Sequence, residues 1–348
     1  DDVYRYVWEG KLVAHGGNPF VVSPQEMCDT DLADDTIYPR INHPWLPTIY
    51  PPLSQYLFMT AWFIGGDNLL GFKLLSFLFE LLTAGAVLVM IRRFHLPPWT
   101  WFIWLFSPLV ILEFLFSNHL DILALPFFVA AIIAFRDKRL FITGLLLGLA
   151  AGVKLFAFFV LPVLVFFTPG WKRRGLLTLT CVGTFLLLYI PFVWSAGTGL
   201  FGSLWEYLGS WQYNGSVFML DKWLFGEHAA RMISAVLFIL VVLVLALWRR
   251  EGAKPLWRAF WVFGAYVMLT PSLFAWYLVW LVPFLVLFKV DAYLILTGTV
   301  FLSYHVLIGY YDTGKWSQYW WLQIAEYLPF YSALLWWGFK NRRMEIRA

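Results

Sequence analysis

Charge is what this chain has least of. Only 13% of its 348 residues are Asp, Glu, Lys or Arg. Soluble domains carry about 25%, so this chain cannot clothe a water-facing surface of ordinary size. Cysteine is nearly absent too. Cys28 falls in a polar stretch and Cys181 in an apolar run, which gives neither a disulfide framework nor a ligand spacing. The patterns GxxxxGK[ST] and HExxH and any Cys/His metal spacing are missing, which removes P-loop ATPases and zinc proteases. No repeat or low-complexity segment is evident. The sequence also lacks an initiating Met and a signal peptide, so a cytoplasmic segment and a first membrane helix are expected ahead of Asp1.

What fills the chain is hydrophobic: 61% of its residues. A membrane span needs roughly 20 apolar residues. Runs of that kind fall at about 69–91, 98–116, 119–135, 139–152, 155–168, 175–193, 230–248, 256–270, 271–288, 291–311 and 322–340. Leu53–Gly65 is apolar but short, which suits an interfacial or re-entrant helix. The expected fold is all-α, a polytopic integral membrane helical bundle. Residues 1–68 form a large external first loop with short interfacial helices. Residues 69–348 form the transmembrane domain of about eleven spans, with a second external loop at 194–229.

Basic residues cluster at span ends: Arg92-Arg93, Arg136 with Lys138-Arg139, Lys172-Arg173-Arg174, Arg249-Arg250 with Lys254, and Arg342-Arg343. The positive-inside rule places such loops in the cytoplasm. Threading eleven crossings then puts the first loop, the Asn118–Asp121 corner, loop 194–229 and the corner at Thr270-Pro271 outside. The charges are dispersed between spans rather than gathered on one face, which argues against nucleic acid as a partner.

The polar block ahead of the spans is dense in reactive side chains. It contains Asp1-Asp2-Val3-Tyr4-Arg5-Tyr6-Val7-Trp8-Glu9-Gly10, then Gly16-Gly17-Asn18-Pro19-Phe20 and Ile41-Asn42-His43-Pro44, then Thr48-Ile49-Tyr50-Pro51-Pro52-Leu53-Ser54-Gln55. Two adjacent carboxylates at a membrane surface can act as a general base, bind a divalent ion, or do both. They can equally be a solvated acidic pair at a helix start. Arg5 and Glu9, four apart, suit either a surface ion pair or a phosphate contact for Arg5. The Gly/Pro turns fold the loop back over the membrane, where Asn18, His43, Tyr50 and Gln55 could line a groove. His119 and Asp121 sit at the outer end of a span, where ionisable groups tend to face a cavity or a partner. Lys154 interrupts an apolar stretch and either snorkels or meets an anion between helices. Trp276, Tyr277 and Trp280 fit an interfacial aromatic belt or a stacking platform for a sugar ring. Asn214-Gly215-Ser216 is a formal glycosylation sequon.

Taken together, these segments resemble the GT-C superfamily of polytopic glycosyltransferases. The likeness is to its bacterial branch of mannosyltransferase-like enzymes that use polyprenyl-phosphate sugars. It rests on Asp1–Gly10, Gly17–Phe20, Thr48–Gln55, Asn118–Asp121, Lys154 and Trp276–Trp280. The resemblance implies transfer of a hexose such as mannose from a polyprenyl-phosphate donor to a glycan or lipid acceptor. The protein would sit among membrane lipids in a bacterial inner membrane and work at its periplasmic face. Asp1 or Asp2 would be the base, alone or beside Mg2+ or Mn2+. Arg5, His119, Asp121, Lys154, Tyr50 and Gln55 would hold the donor phosphate and sugar. Trp8, Asn18, His43, Trp276, Tyr277 and Trp280 would stack on sugar or acceptor. A transporter or flippase of lipid-linked sugars, and an inactive protein of the same fold, are the competing expectations.

Overall fold

The computed structural model describes residues 2–248 and 254–345, so Asp1, Arg249 and Arg250 lie outside the described residues. The described chain is helical apart from isolated bridges that join Tyr213 and Asn214 to Ser272. It divides into two compact units. One comprises Asp1–His95 and Ile111–Trp211, the other Leu96–Val110 and Gln212–Ala348. The expected division at residue 68 is not where the compact units part: the polar block shares its unit with helices as distant as Trp171–Ala196.

In the first unit, α1 (Asp2–Ala14) is buried on every side, from Val3 and Val7 round to Trp8 and Leu12, and ends at Gly16, whose φ of +79° suits glycine. Helix α2 (Pro52–Gly65) begins at Pro52, where a missing N–H costs nothing, and stops at Gly66 with φ +65°. The two helices meet backbone to backbone: a Cβ on Gly10 would collide with the Phe58 carbonyl. Helix α3 (Leu70–Arg93) packs on α2 through Gly71, in the same way, against Ala61. Further on, Leu140–Val153 lies along Trp171–Ala196 through Gly144, Gly148 and Gly152. A Cβ at Gly148 would come within 2.5 Å of the Cys181 carbonyl oxygen. This small-residue seam lets two membrane helices approach closely where lipid offers no hydrophobic drive for them to pair.

Among the described residues, four segments are long and apolar enough to cross a membrane: Leu70–Arg93, Trp171–Ser210, Glu227–Leu247 and Asp291–Tyr310. Pro98–Leu105 with Val110–Phe116, bent by 52°, adds a fifth if the pair is counted as one span. The eleven expected crossings are therefore not eleven continuous helices. Those expected at 119–135, 139–152, 155–168 and 271–288 form shorter apolar helices. Proline explains three of them. Leu125–Arg136, Leu161–Phe167 and Val282–Phe288 each carry Pro in the first turn, and each follows a 3-10 segment: Leu120–Leu123, Leu155–Val160 and Ala275–Leu281. Proline suits a helix start and disfavours α geometry just before it. Each 3-10 segment in turn begins after an extended residue: His119, Lys154 or Phe274. A structural recurrence thus exists where no sequence repeat was evident.

Loop 194–229 is also not a loop. It contains the end of Trp171–Ala196 and the helices Gly202–Ser210 and Val217–Phe225. In the second unit, Pro255–Leu269 packs its Trp257, Phe260 and Trp261 with Phe288, Tyr293 and Trp337.

Candidate active site

Two neighbouring rows of α1 carry the polar chemistry, one with Arg5 and Glu9, the other with Asp2 and Tyr6. Arg5 is buried, and its Nε donates to Glu9 Oε1 at 2.7 Å. Its Nη1 donates to the His43 carbonyl at 3.1 Å and its Nη2 to the Leu46 carbonyl. The other carboxylate oxygen of Glu9 accepts from Thr48 Oγ1 and Gln55 Nε2, both at 2.8 Å. Arg5 and Gln55 were expected at the donor phosphate. The structure instead ties both into a buried strut that pins residues 43–48 to α1 and α2. The ion pair is not a surface one, because loop 43–55 covers it.

The second row leads to a different cluster. Asp2, in the first turn of α1, accepts from Asn42 Nδ2 at 2.6 Å. Tyr6 and Tyr50 are hydrogen-bonded to each other, and Tyr6 stacks on Phe58 at 4.7 Å. Burial holds the Tyr6 phenol well above its ordinary range, with Tyr50, Asp2 and Asp121 adding to the effect. Both tyrosines therefore act as neutral hydroxyls. Across from them, Lys154 Nζ donates to Asp121 Oδ2 at 2.6 Å. The Asp2 carboxylate is close enough to the Lys154 ammonium for the two charges to act on each other.

Local structure explains why Lys154 and Asp121 meet. Lys154 is the extended residue after Leu140–Val153, and Asp121 lies in the 3-10 turn after His119. Ser54 Oγ of α2 donates to the Val153 carbonyl at 2.8 Å, which fastens this break beneath the first loop. His119 turns to a residue that sequence reasoning did not single out. Its Nδ1 lies 2.9 Å from Glu113 Oε2, and Glu113 is fully buried in the π-helical stretch Val110–Phe116. π-bulges are frequent at functional sites. The signal was available: an acid inside an apolar run is costly unless it meets a partner.

The structure thus brings together Asp2, Tyr50, Asp121 and Lys154, with His119 on Glu113 beside Asp121 in sequence. Other expected residues take structural positions. Trp8 is buried in the packing of α1, out of reach of a sugar. Asn18 donates to the Phe192 carbonyl and to Ser195 Oγ, which ties the first loop to the end of Trp171–Ala196. His43 is half-buried, with its ring 5.1 Å from Trp45 and 4.4 Å from Trp211. Trp276, Tyr277 and Trp280 belong to the second unit. Trp280 is wholly enclosed and stacks on Phe263, and Tyr277 is buried, so neither offers an open ring face. Trp276 stacks on Phe274 at 4.5 Å. The sequon asparagine is buried as well: Asn214 Nδ2 donates to Glu326 Oε1 at 2.8 Å and its carbonyl accepts from Tyr327. A glycan has no room there. Among the described residues, no three His, Cys, Asp or Glu side chains gather as metal ligands. A divalent ion would need to rest on Asp2 and its neighbours, so no step is assigned to one.

Residues 1–170 match the family model for the N-terminal domain of alpha-(1->6)-mannopyranosyltransferases, the MptA_B family. The matched stretch contains the whole acid–lysine cluster. The likeness is to a mannose-transferring glycosyltransferase domain, and it supports glycosyltransferase activity. Several apolar helices and this likeness together indicate an integral membrane protein. Among curated proteins no match was found.

Proposed function

We propose that the protein transfers mannose from a polyprenyl-phosphate donor to a glycan acceptor at the non-cytoplasmic face of the membrane, with Asp2 as the base. The observation that carries this reading is one partly buried group of opposite charges, with Asp2 near Lys154 and Lys154 held by the buried Asp121 at 2.6 Å. A lipid-phosphate donor keeps its chain in the bilayer and presents its sugar at the interface. Such a reaction needs a cation for the leaving phosphate and a base for the acceptor. Asp2 takes the proton of the acceptor hydroxyl as that oxygen bonds to the anomeric carbon. The bond from the anomeric carbon to the phosphate oxygen breaks, and the phosphate departs with both electrons. An ammonium carries three N–H donors, so the phosphate can share Lys154 with Asp121. The neutral Tyr50 hydroxyl suits the sugar, and His119, oriented by Glu113, stands beside Asp121. Charge clusters such as Arg92-Arg93 and Lys172-Arg173-Arg174 support an outward-facing first loop.

The test is transfer of labelled mannose from a polyprenyl-phosphate donor by the full-length protein in vesicles. Asp2→Asn lowers the rate by about 10²–10⁴, the usual reach of a general base. Unreduced transfer by this variant would remove Asp2 from the mechanism. Label crossing the bilayer still attached to its donor would favour a flippase.

A further inference from the structure

The first unit contains a groove of about 470 Å³ that the donor chemistry does not use. Its walls include Phe20, Trp45 and Leu46 of the first loop, and Ser195, Ser203 and Glu206 of the segment that follows the long membrane helix. The volume falls within the roughly 300–1,000 Å³ typical of small-molecule clefts. The groove is built rather than accidental. Leu46 is pinned through its carbonyl by Arg5, and Ser195 is held at 2.6 Å by Asn18, which fixes the two walls relative to each other. Trp45 nevertheless keeps 56% of its surface exposed, although His43 supports its ring. An indole fixed in this way, with one face open, suits the apolar C–H surface of a sugar.

Charge decides what sort of molecule fits. Glu206 is the one charged side chain lining the groove, and it is an acid. His43 lies between the groove and Asp2: its ring is 5.1 Å from that of Trp45, and the adjoining Asn42 donates to Asp2 at 2.6 Å. Burial holds that imidazole below the ordinary histidine range, so it adds no cation at neutral pH. An anionic lipid phosphate would meet a like charge here. A neutral polyol would instead meet a carboxylate able to accept two hydroxyl hydrogen bonds.

We infer that this groove is the acceptor subsite, holding a neutral oligosaccharide by stacking on Trp45 and by hydroxyl contacts to Glu206, with the accepting end directed past His43 to Asp2. This rests on the sugar-transfer function proposed above. The phosphate end of the donor lies with Lys154 and the acceptor lies on the Glu206 side, so the base stands between a cationic and an acidic group.

Binding separates this inference from the mechanism. Saturation-transfer NMR and calorimetry with α-(1→6)-mannotriose are applied to the full-length protein in nanodiscs. Saturable binding is expected in the wild type and in Asp2→Asn, with tenfold or greater weakening in both Trp45→Ala and Glu206→Gln. Both side chains are exposed, and the glutamine variant keeps the shape of the acid, so loss of folding does not mimic the result. Wild-type affinity in either groove variant, or no saturable binding by the wild type, overturns the inference. So does displacement of the trisaccharide by a polyprenyl phosphate whose own affinity falls in Trp45→Ala. Undiminished transfer by Asp2→Asn would defeat the base alone and leave the binding data to judge the groove.

Discussion

Two ion pairs in the first unit look alike by composition and differ in their surroundings. Arg5–Glu9 and Lys154–Asp121 are both close, at 2.7 and 2.6 Å, and both join a basic residue to a fully buried acid. The first is surrounded by groups that complete it: two loop carbonyls for the guanidinium, a threonine hydroxyl and a glutamine amide for the carboxylate. The second stands where a chain break meets a 3-10 turn, within the field of a further carboxylate, Asp2. A planar guanidinium with fixed donors suits a strut, while a compact ammonium with rotatable donors suits a ligand that comes and goes. On the function proposed here, the first pair holds the loop and the second meets the donor phosphate.

The comparison breaks most readily at Arg5. Arg5→Met leaves Glu9 charged, buried and unpaired, which costs about 3–5 kcal/mol of stability. Thermal unfolding in detergent should show this, while transfer per folded molecule stays within about tenfold of wild type. A stable Arg5→Met protein that fails to transfer would place Arg5 back at the donor phosphate. Next in size is the double variant Asp121→Asn with Lys154→Gln. It removes both charges together and so spares the fold, yet transfer falls by roughly a hundredfold, about 2.7 kcal/mol of barrier. Retained transfer would reduce this pair to a second strut.

The seam that positions Lys154 gives a smaller effect. Gly148→Leu forces a side chain into the Cys181 carbonyl and should cost about 1–3 kcal/mol of stability. Gly175→Leu, on the helix facing that seam but with open space around it, serves as the control. The smallest effect concerns pH. Burial, helped by Arg5 and opposed by Asp2 and Glu206, depresses the His43 pKa in the folded chain. Its contribution to stability is therefore present above the ordinary histidine pKa of about 6.5 and is lost as pH falls toward the folded value. His43→Asn should flatten the loss of melting temperature between neutral pH and mildly acidic pH relative to wild type. An identical slope in both proteins would assign that loss to other groups.

Much of the fold was legible because its cues are local. The short apolar segment Leu53–Gly65 located α2, and the longer apolar runs located other helices. What went unread also has a local explanation. Eleven crossings were counted from hydropathy, but Pro126, Pro162 and Pro283 turn three of the runs into a 3-10 entry and a short helix. Gly144, Gly148 and Gly152 form a packing seam whose partner, Trp171–Ala196, no sequence spacing identifies. In the site, Asp121 and Lys154 stood out by residue type beside apolar runs, and Asp2 as one of two adjacent acids in the polar block. Glu113 carried the same signal and was passed over because it lay inside an expected span.

By itself the sequence determined that this is an all-helical membrane protein, with reactive side chains concentrated ahead of and between its apolar runs. Composition and periodicity act over one or two helical turns, so they settle such matters. Only the tertiary structure decided which of those side chains work together. Lys154 finds Asp121 across 33 residues and Glu9 finds Gln55 across 46. Trp8 and Trp280 disappear into packing, while Trp45, in a plain stretch of the first loop, remains open. A buried polar group must be satisfied wherever the chain can bring a partner, and that requirement depends on distance in space rather than along the sequence.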